Sequence, residues 1–381
     1  MKLGKVRKLV GLTLAGVMCL SASAFAGETV TAKSSDVNWK LYGRVKVDFN
    51  YDTAKFTKYN DFIGAVANGA KDSDWKNDST NFNPRDTRLG AIVSTDSQDW
   101  KTTGRIEIDF YGTTEGDNLI PRMRLGYIDL FYKKTKTDIR IGQDWIPVAQ
   151  LNPSTVDFGI LSAAGNLWWR MPQITVRQNY GNWQILGSVM RRHRSDVGTN
   201  VRMPWLLARL QYKGGVLGSD NMVAIGGGYR KDEVTRWLIA GEYKFGFKLA
   251  DLKFKVKGEL WTGKGIGAEF LRYDLDVNSV TGKAIKAYGG WADITCYLTK
   301  KISVTAGAGI DNPKDSDMMA GRTVASLNDR QFTKNTIYYV NAWYKLTNHV
   351  KLGAEIMRVE TERDTITNKG TRYTLSAFYN F

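Results

Sequence analysis

Lys253, Lys255 and Lys257 stand at alternate positions in L-K-F-K-V-K-G-E-L, with Glu259 next in the series, and Arg44, Lys46 and Asp48 are spaced the same way in L-Y-G-R-V-K-V-D-F. Residues two apart on an extended chain point the same way, so each stretch presents a row of charge backed by a row of apolar side chains. Such rows make and break no bonds. Their chemistry is selection, because cationic side chains lining a water-filled passage favour anions. Arg88, Arg105, Arg140, Arg177 and Arg209 hold the polar positions of further alternating stretches, and Lys40 and Arg372 join them; the carboxylates on the same faces are Asp48, Glu107, Asp109 and Glu259.

Other groupings point to bond chemistry less well. His193-Arg194-Ser195-Asp196 contains the residue types of a hydrolytic triad, but nucleophile, base and orienter must converge in space rather than crowd one loop, so a solvated loop is expected and no enzyme. The second histidine, His349, falls in an expected short turn. Asp274, Asp276 and Asn278 have the spacing that begins a calcium loop, but Ser279 replaces its glycine and Ile285 stands where the bidentate glutamate belongs; Asp311, Asp315 and Asp317 have no recognised spacing. The G-x-G within residues 263–267 lies in an expected loop with no helix after it, so no nucleotide cradle is read there. No metal and no cofactor is expected.

These rows need strands to hold them, and the chain supplies strands in a membrane setting. Lys2, Lys5, Arg7 and Lys8 precede an apolar run over residues 9–20 and the A-x-A of Ala24 to Ala26, so residues 1–26 read as a secretion signal. Cleavage would remove four positive charges from a chain of net charge +16, and would leave Cys296 as the sole cysteine, with no internal disulfide. Residues 27–37 read as a short polar lead-in on the periplasmic side, and 38–381 as one barrel domain. Beyond residue 26 no apolar run approaches the roughly 18 residues of a helical span. Only helices and closed barrels satisfy their backbone in lipid, so a membrane protein of this sequence is a closed barrel, with which the mean hydropathy of −0.34 is compatible. Alternation then puts much of the basic excess inside, which argues against a nucleic-acid partner; exposed Lys and Arg would meet anionic lipopolysaccharide.

The expected fold is an all-β transmembrane antiparallel barrel of about sixteen strands. The first strand spans residues 39–52 and the last 372–381, where Tyr373, Leu375, Ala377, Tyr379 and Phe381 alternate with polar positions. Short turns begin near residues 96, 133, 180, 213, 248, 299 and 347 and longer loops near 53, 112, 146, 193, 230, 262, 311 and 359, alternating as two sides of a membrane require. Trp237 and Phe247 lie far enough apart along one strand to mark the two rims of an apolar band, roughly 25 Å for a tilted strand. The fourth strand, residues 122–132, alternates poorly: Asp129 shares a face with Leu125 and Tyr127, as at a bulge or a protein-facing wall.

The opening L-Y-G-R-V-K-V-D-F-N-Y-D, the P-R-D-T-R-L-G of the second strand, the I-R-I-G-Q-D-W before residue 146 and the terminal Y-N-F resemble the sixteen-stranded Gram-negative porins, and among them most the DcaP-like trimeric porins. The resemblance covers nearly the whole chain after residue 26, without the helical amino-terminal extension of some members. It implies that the third loop, residues 146–171 with Asp157, Asn166 and Arg170, folds into the lumen opposite a basic wall of Arg44, Arg88 and Arg105. It further implies that Tyr373, Leu375, Tyr379 and Phe381 are read by the barrel-assembly machinery and that the chain forms a homotrimer among outer-membrane lipids and lipopolysaccharide. Leu151, Phe158, Leu167, Trp168 and Trp169 fit a loop packed on an inner wall or buried at a trimer contact. The function implied is passive diffusion of small hydrophilic solutes with preference for small anions. A substrate-specific anion channel for dicarboxylate or phosphate, a barrel enzyme using His193 and an adhesive or structural barrel are the alternatives.

Overall fold

A computed structural model describes residues 31–34, 37–57, 62–112, 119–193, 203–218, 220–271 and 275–381. The expected signal at 1–26 and most of the lead-in lie outside these residues. Among them one sheet of eighteen strands runs through the chain. β1 (Thr31–Ser34) is an appendage on the start of β2 (Val37–Ala54). The first half of β2 pairs with β4 (Arg88–Asp96) and the second with β3 (Lys76–Asn83), so β3 and β4 are one stave broken at residues 84–87. Antiparallel pairing continues through β5 (Trp100–Asp109), β6 (Arg122–Tyr132), β7 (Thr137–Trp145), β8 (Arg170–Tyr180), β9 (Trp183–Met190), β10 (Trp205–Lys213), β11 (Met222–Lys231) and β12 (Thr235–Leu249). It goes on through β13 (Leu252–Lys264), β14 (Lys286–Tyr297), β15 (Ile302–Pro313), β16 (Lys334–Lys345), β17 (Val350–Arg363) and β18 (Ile366–Asn380). β18 pairs with β2, which closes a barrel of sixteen staves.

Closure leaves no edge to satisfy, and the final residue helps to make it: Gly43 and Phe381 exchange both backbone hydrogen bonds, at 3.0 and 3.2 Å, and the Phe381 ring occupies the space a side chain on Gly43 would need. The outer face carries Ile106, Ile128, Ile174, Ile225, Val340 and Leu375, each more than half exposed, while Arg209, Glu242, Glu259, Glu355 and Arg372 on the opposite face are buried. That inversion of the soluble pattern is what lipid outside and polar groups inside produce. The apolar core lies inside the barrel at its long-loop end. Phe56, Ile63, Leu161, Ala164, Ile266, Phe270, Met318 and Phe332, from four loops, pack on inward Leu238, Ala240, Ile337 and Val359. The W-L-I-A-G of β12 therefore reads apolar on both faces, one toward lipid and the other toward loops.

Three expectations change. The segment from 53 to 84 is not all loop, since β3 lies within it. The connections near 230 and 359 are tight turns, residues 232–234 and 364–365, because β11, β12, β17 and β18 continue as a polar ladder beyond the apolar band; Asp364 takes φ 55° to make the second turn. A one-turn helix, Gly267–Phe270, does follow the G-x-G. The seven short turns stand where expected, the longest at residues 214–221.

Candidate lumenal site

The connection from β7 to β8, residues 146–169, is held by carboxylates of distant staves. Gln150 and Leu151 N–H donate to Glu242 of β12 at 2.7 and 2.6 Å, Ser154 N–H to Asp293 of β14 at 2.7 Å, and Val156 and Asp157 N–H to Glu355 of β17, both at 2.8 Å. Leu167 N–H donates to Glu259 of β13 at 2.9 Å. In return Lys46 Nζ donates to Val156 O at 2.7 Å, Lys257 Nζ to Asn152 O, and Arg372 Nη1 to Asp157 Oδ2 at 2.8 Å. Every partner sits on the face opposite the exposed apolar one, and most lie across the ring from β7 and β8. A segment without a ladder of its own must find acceptors for its buried amides, and these charged groups provide them. Asn166 braces the segment internally through Ile160 O at 2.8 Å and Asn152 Oδ1 at 3.1 Å. Arg170 is already the first residue of β8, its guanidinium 4.7 Å from the Trp145 ring and 5.6 Å from that of Trp168.

The basic residues of the early staves come together with their neutralising partners. Arg44 and Arg88 both bind Asp86, at 2.5 and 2.9 Å. Arg105 reaches Glu107 at 3.2 Å and Tyr42 Oη at 2.8 Å; Arg124 binds Glu107 and Asp109, each at 2.8 Å; Arg122 binds Asp109 at 2.8 Å. Lys46 pairs with Asp48 at 2.7 Å, Arg177 with Asp138 at 3.2 Å, and Arg209 with Glu242 at 2.7 Å beneath the loop. Sequence reasoning missed Asp86, Arg122 and Arg124, whose partnerships depend on register. Asp129, whose break in the alternation reads as a bulge or a protein-facing wall, stands beyond a bulge and faces the lumen. Arg140 bridges Asp129 at 2.5 Å and Asp144 at 2.6 Å and stacks 4.0 Å from Tyr127, all on the inner face. The cause is an irregularity between Glu107 and Ile108 in the β5–β6 pairing, which leaves Arg124 without a cross-strand partner and shifts the alternation.

A group of lysines without a carboxylate partner lines the lumen at the short-turn end. Among the described residues Lys213, Lys244, Lys255, Lys301, Lys345 and Lys351 make no ion pair. Lys253 is exposed beside them, whereas Lys257, deeper on β13, has Asp293 at 3.7 Å. Two cavities open into this half of the lumen. One, about 580 Å³, is lined by Arg44, Arg88, Lys301, Lys345 and Lys351; the other, about 600 Å³, by Arg105, Arg140, Arg177, Lys213 and Lys244. Arg88, Trp145 and Asn152 border both.

The remaining candidates are engaged elsewhere. His193 Nδ1 is 2.7 Å from Ala268 O and its ring lies 3.9 Å from that of Trp169; Arg194, Ser195 and Asp196 are outside the described residues. His349 Nδ1 is 3.1 Å from Asn380 O. Asp274 is outside the described residues, while Asp276 sits 3.3 Å from Arg236 and accepts from Ala268 N–H, and Asn278 donates to Asp317 O and Ala320 O. Burial, with Glu269 nearby, pushes the Asp276 carboxyl up to about 6. Tyr373 and Leu375 point outward, and Tyr379 lies at the closing seam with Phe381.

A closed ring of sixteen staves, apolar outside and charged inside, with an interior segment held by wall carboxylates, is the fold of the Gram-negative outer-membrane porins. Among solved structures the chain is similar to the outer membrane channel DcaP of Acinetobacter baumannii, with TM-score 0.74 and 22% identity over 92% of this chain and 99% of that one. An anion-selective porin from Comamonas acidovorans matches with TM-score 0.63 and 12% identity over 91% of this chain and 100% of that one. Pseudomonas putida OprB matches with TM-score 0.61 and 8% identity over 90% and 94%. No family model and no curated protein matches the sequence.

Proposed function

We propose that the chain is a Gram-negative outer-membrane porin through which small hydrophilic solutes diffuse passively, with preference for anions. The observation that carries this reading is the set of unpaired lysines bordering two cavities inside a closed barrel, where the carboxylates that reach the same space are held by arginines. The fold it shares with a protein described as an anion-selective porin supports the same direction. On this reading residues 1–26 are removed on export, 27–37 lead in from the periplasm and 38–381 form the barrel. Residues 146–169 narrow the passage, and Tyr373, Leu375, Tyr379 and Phe381 serve recognition by the assembly machinery. The protein sits among outer-membrane lipids and lipopolysaccharide as a homotrimer. An unboiled detergent sample is expected to migrate near three times the mass of the mature chain; a heat-modifiable band at monomer mass would contradict the trimer alone.

The test is a planar bilayer in a potassium chloride gradient. Steady open events are expected, with a reversal potential whose sign reports chloride preference. Absence of conductance from folded protein overturns the channel, and potassium preference overturns the selectivity.

A further inference from the structure

The larger set of free lysines borders a cavity that also carries aromatic rings on its inner wall, where a water-filled barrel ordinarily presents polar groups. Phe378 breaks the polar alternation of β18: it lies between Ser376 and Asn380 on the face that holds Arg372 and Thr374, and Arg44 stands 5.0 Å above its ring. Trp343 lies against the wall over Gly353, where an added side chain would come within 2.8 Å of the indole, and meets Phe378 edge to face at 6.2 Å. Register sets the cations beside these rings. Lys345, Lys351 and Phe378 are successive cross-strand partners on β16, β17 and β18, so each is one strand spacing from the next, about 5 Å. Lys301 adjoins Lys345 through a backbone hydrogen bond of 2.8 Å. The carboxylates bordering the cavity, Asp86 and Asp157, are bound by Arg44, Arg88 and Arg372.

We propose that this vestibule is a binding site for aromatic carboxylates, taking the ring of the solute on Trp343 and Phe378 and its carboxylate on Lys345 and Lys351. A small inorganic or aliphatic anion uses only the lysines, and a neutral sugar uses only the rings. A carboxylate fixed to a six-membered ring spans the distance between the two sets and engages both. The cavity, about 580 Å³, is several times larger than such a solute, so binding leaves room for exchange with water, as transit requires. The proposal deepens the porin reading by naming a solute class for the same lumen, and it rests on that lumen being open to solutes from the short-turn side.

Binding is measured first by titration calorimetry on the full folded protein in detergent micelles, which does not depend on conduction, with benzoate, acetate and benzyl alcohol as probes. Benzoate is expected to bind about tenfold more tightly than acetate, the gain usual for one or two aromatic contacts, and benzyl alcohol more weakly than benzoate. The Phe378→Leu, Trp343→Leu double variant should abolish the benzoate advantage and leave acetate unchanged; Lys345→Gln, Lys351→Gln should weaken both anions. If the double variant does not fold, Phe378→Leu alone, which keeps Trp343 over Gly353, is expected to reduce the advantage about threefold. Equal affinity for benzoate and acetate, a ratio unmoved by the ring variants, or benzyl alcohol binding as well as benzoate overturns the site. In bilayers benzoate should reduce chloride current at concentrations where acetate does not. Binding in micelles from a protein without conductance would refute the channel and keep the site, while conductance without the benzoate advantage does the reverse.

Discussion

At the scale of the residue, the decisive distinction is between a cation with a partner and one without. A free lysine about 7 Å from a permeating anion contributes roughly 0.6 kcal/mol in water and several-fold more where the lumen lowers the effective dielectric. Arg44, Arg88 and Arg105 share Asp86 and Glu107, so much of their field is cancelled locally. Neutralising Lys301, Lys345 and Lys351 to Gln is therefore expected to cut the chloride-to-potassium permeability ratio several-fold while leaving the temperature of heat modification unchanged. Arg209→Gln should do the opposite, since it strands a buried Glu242 that also anchors the loop: about 3–5 kcal/mol of stability is expected to go, read as a lower unfolding temperature. Asp276 gives a residue-level pH dependence outside the membrane band. Its folded value near 6 lies above the unfolded one, so the folded state takes up the proton first and its ionised form is the penalised one. Stability of the 265–285 loop should thus rise as pH falls from 7 through 6 and level off near 4, and Asp276→Asn should flatten that change; hydrogen exchange across residues 275–285 at pH 5 and pH 7 reads it. Greater protection at pH 7 would refute the assignment.

At the scale of the element, strands were legible and their partners were not. Val45, Val47, Phe49 and Tyr51 against Arg44, Lys46, Asp48 and Asn50 mark β2 without any tertiary knowledge, because lipid outside and water inside impose period two. The polar stretch around residues 359–371 carries no such contrast, which is why it reads as a loop although it extends β17 and β18 as a ladder beyond the band. Arg44 finds Asp86 from 42 residues away, at the break between β3 and β4, and no local pattern announces that break. The loop of residues 146–169 was legible as apolar and unusual, but Glu242, Asp293 and Glu355, which accept its amides, look in the sequence like any inward carboxylates. Glu355 takes two of those amides and an Asn341 side-chain N–H at 2.9 Å, so Glu355→Ala leaves two backbone donors unpaired and Asn341 with Ser154 O alone. Each lost bond of this kind costs about 1–3 kcal/mol. The variant is expected to keep the barrel, whose ladder is untouched, while the loop exchanges amide hydrogens faster and single-channel current becomes larger and noisier. Unchanged exchange at Val156 and Asp157 would show that the segment is held by its apolar packing instead.

At the scale of the whole molecule, the two halves of the lumen do different work. The long-loop half is filled by loop side chains on inward Leu238, Ile337 and Val359, and the short-turn half is left to water, cavities and free lysines. Selectivity set by exposed charge at a wet mouth has a different salt dependence from selectivity set by buried charge at a constriction. Exposed charges more than a Debye length from an ion are screened, and that length falls from about 10 Å at 0.1 M salt to about 3 Å at 1 M. Charges bound into a partly buried network are screened far less. Chloride preference is therefore expected to be several-fold at 0.1 M potassium chloride and to approach unity at 1 M, with conductance rising less than tenfold over that range because the lysines already concentrate anions at low salt. The Lys301, Lys345, Lys351 variant should lose the low-salt excess and scale with bulk conductivity. A preference that persists at 1 M, or one that the lysine variant retains in full, would place the filter in the Arg44, Arg88 and Arg105 network despite its carboxylates.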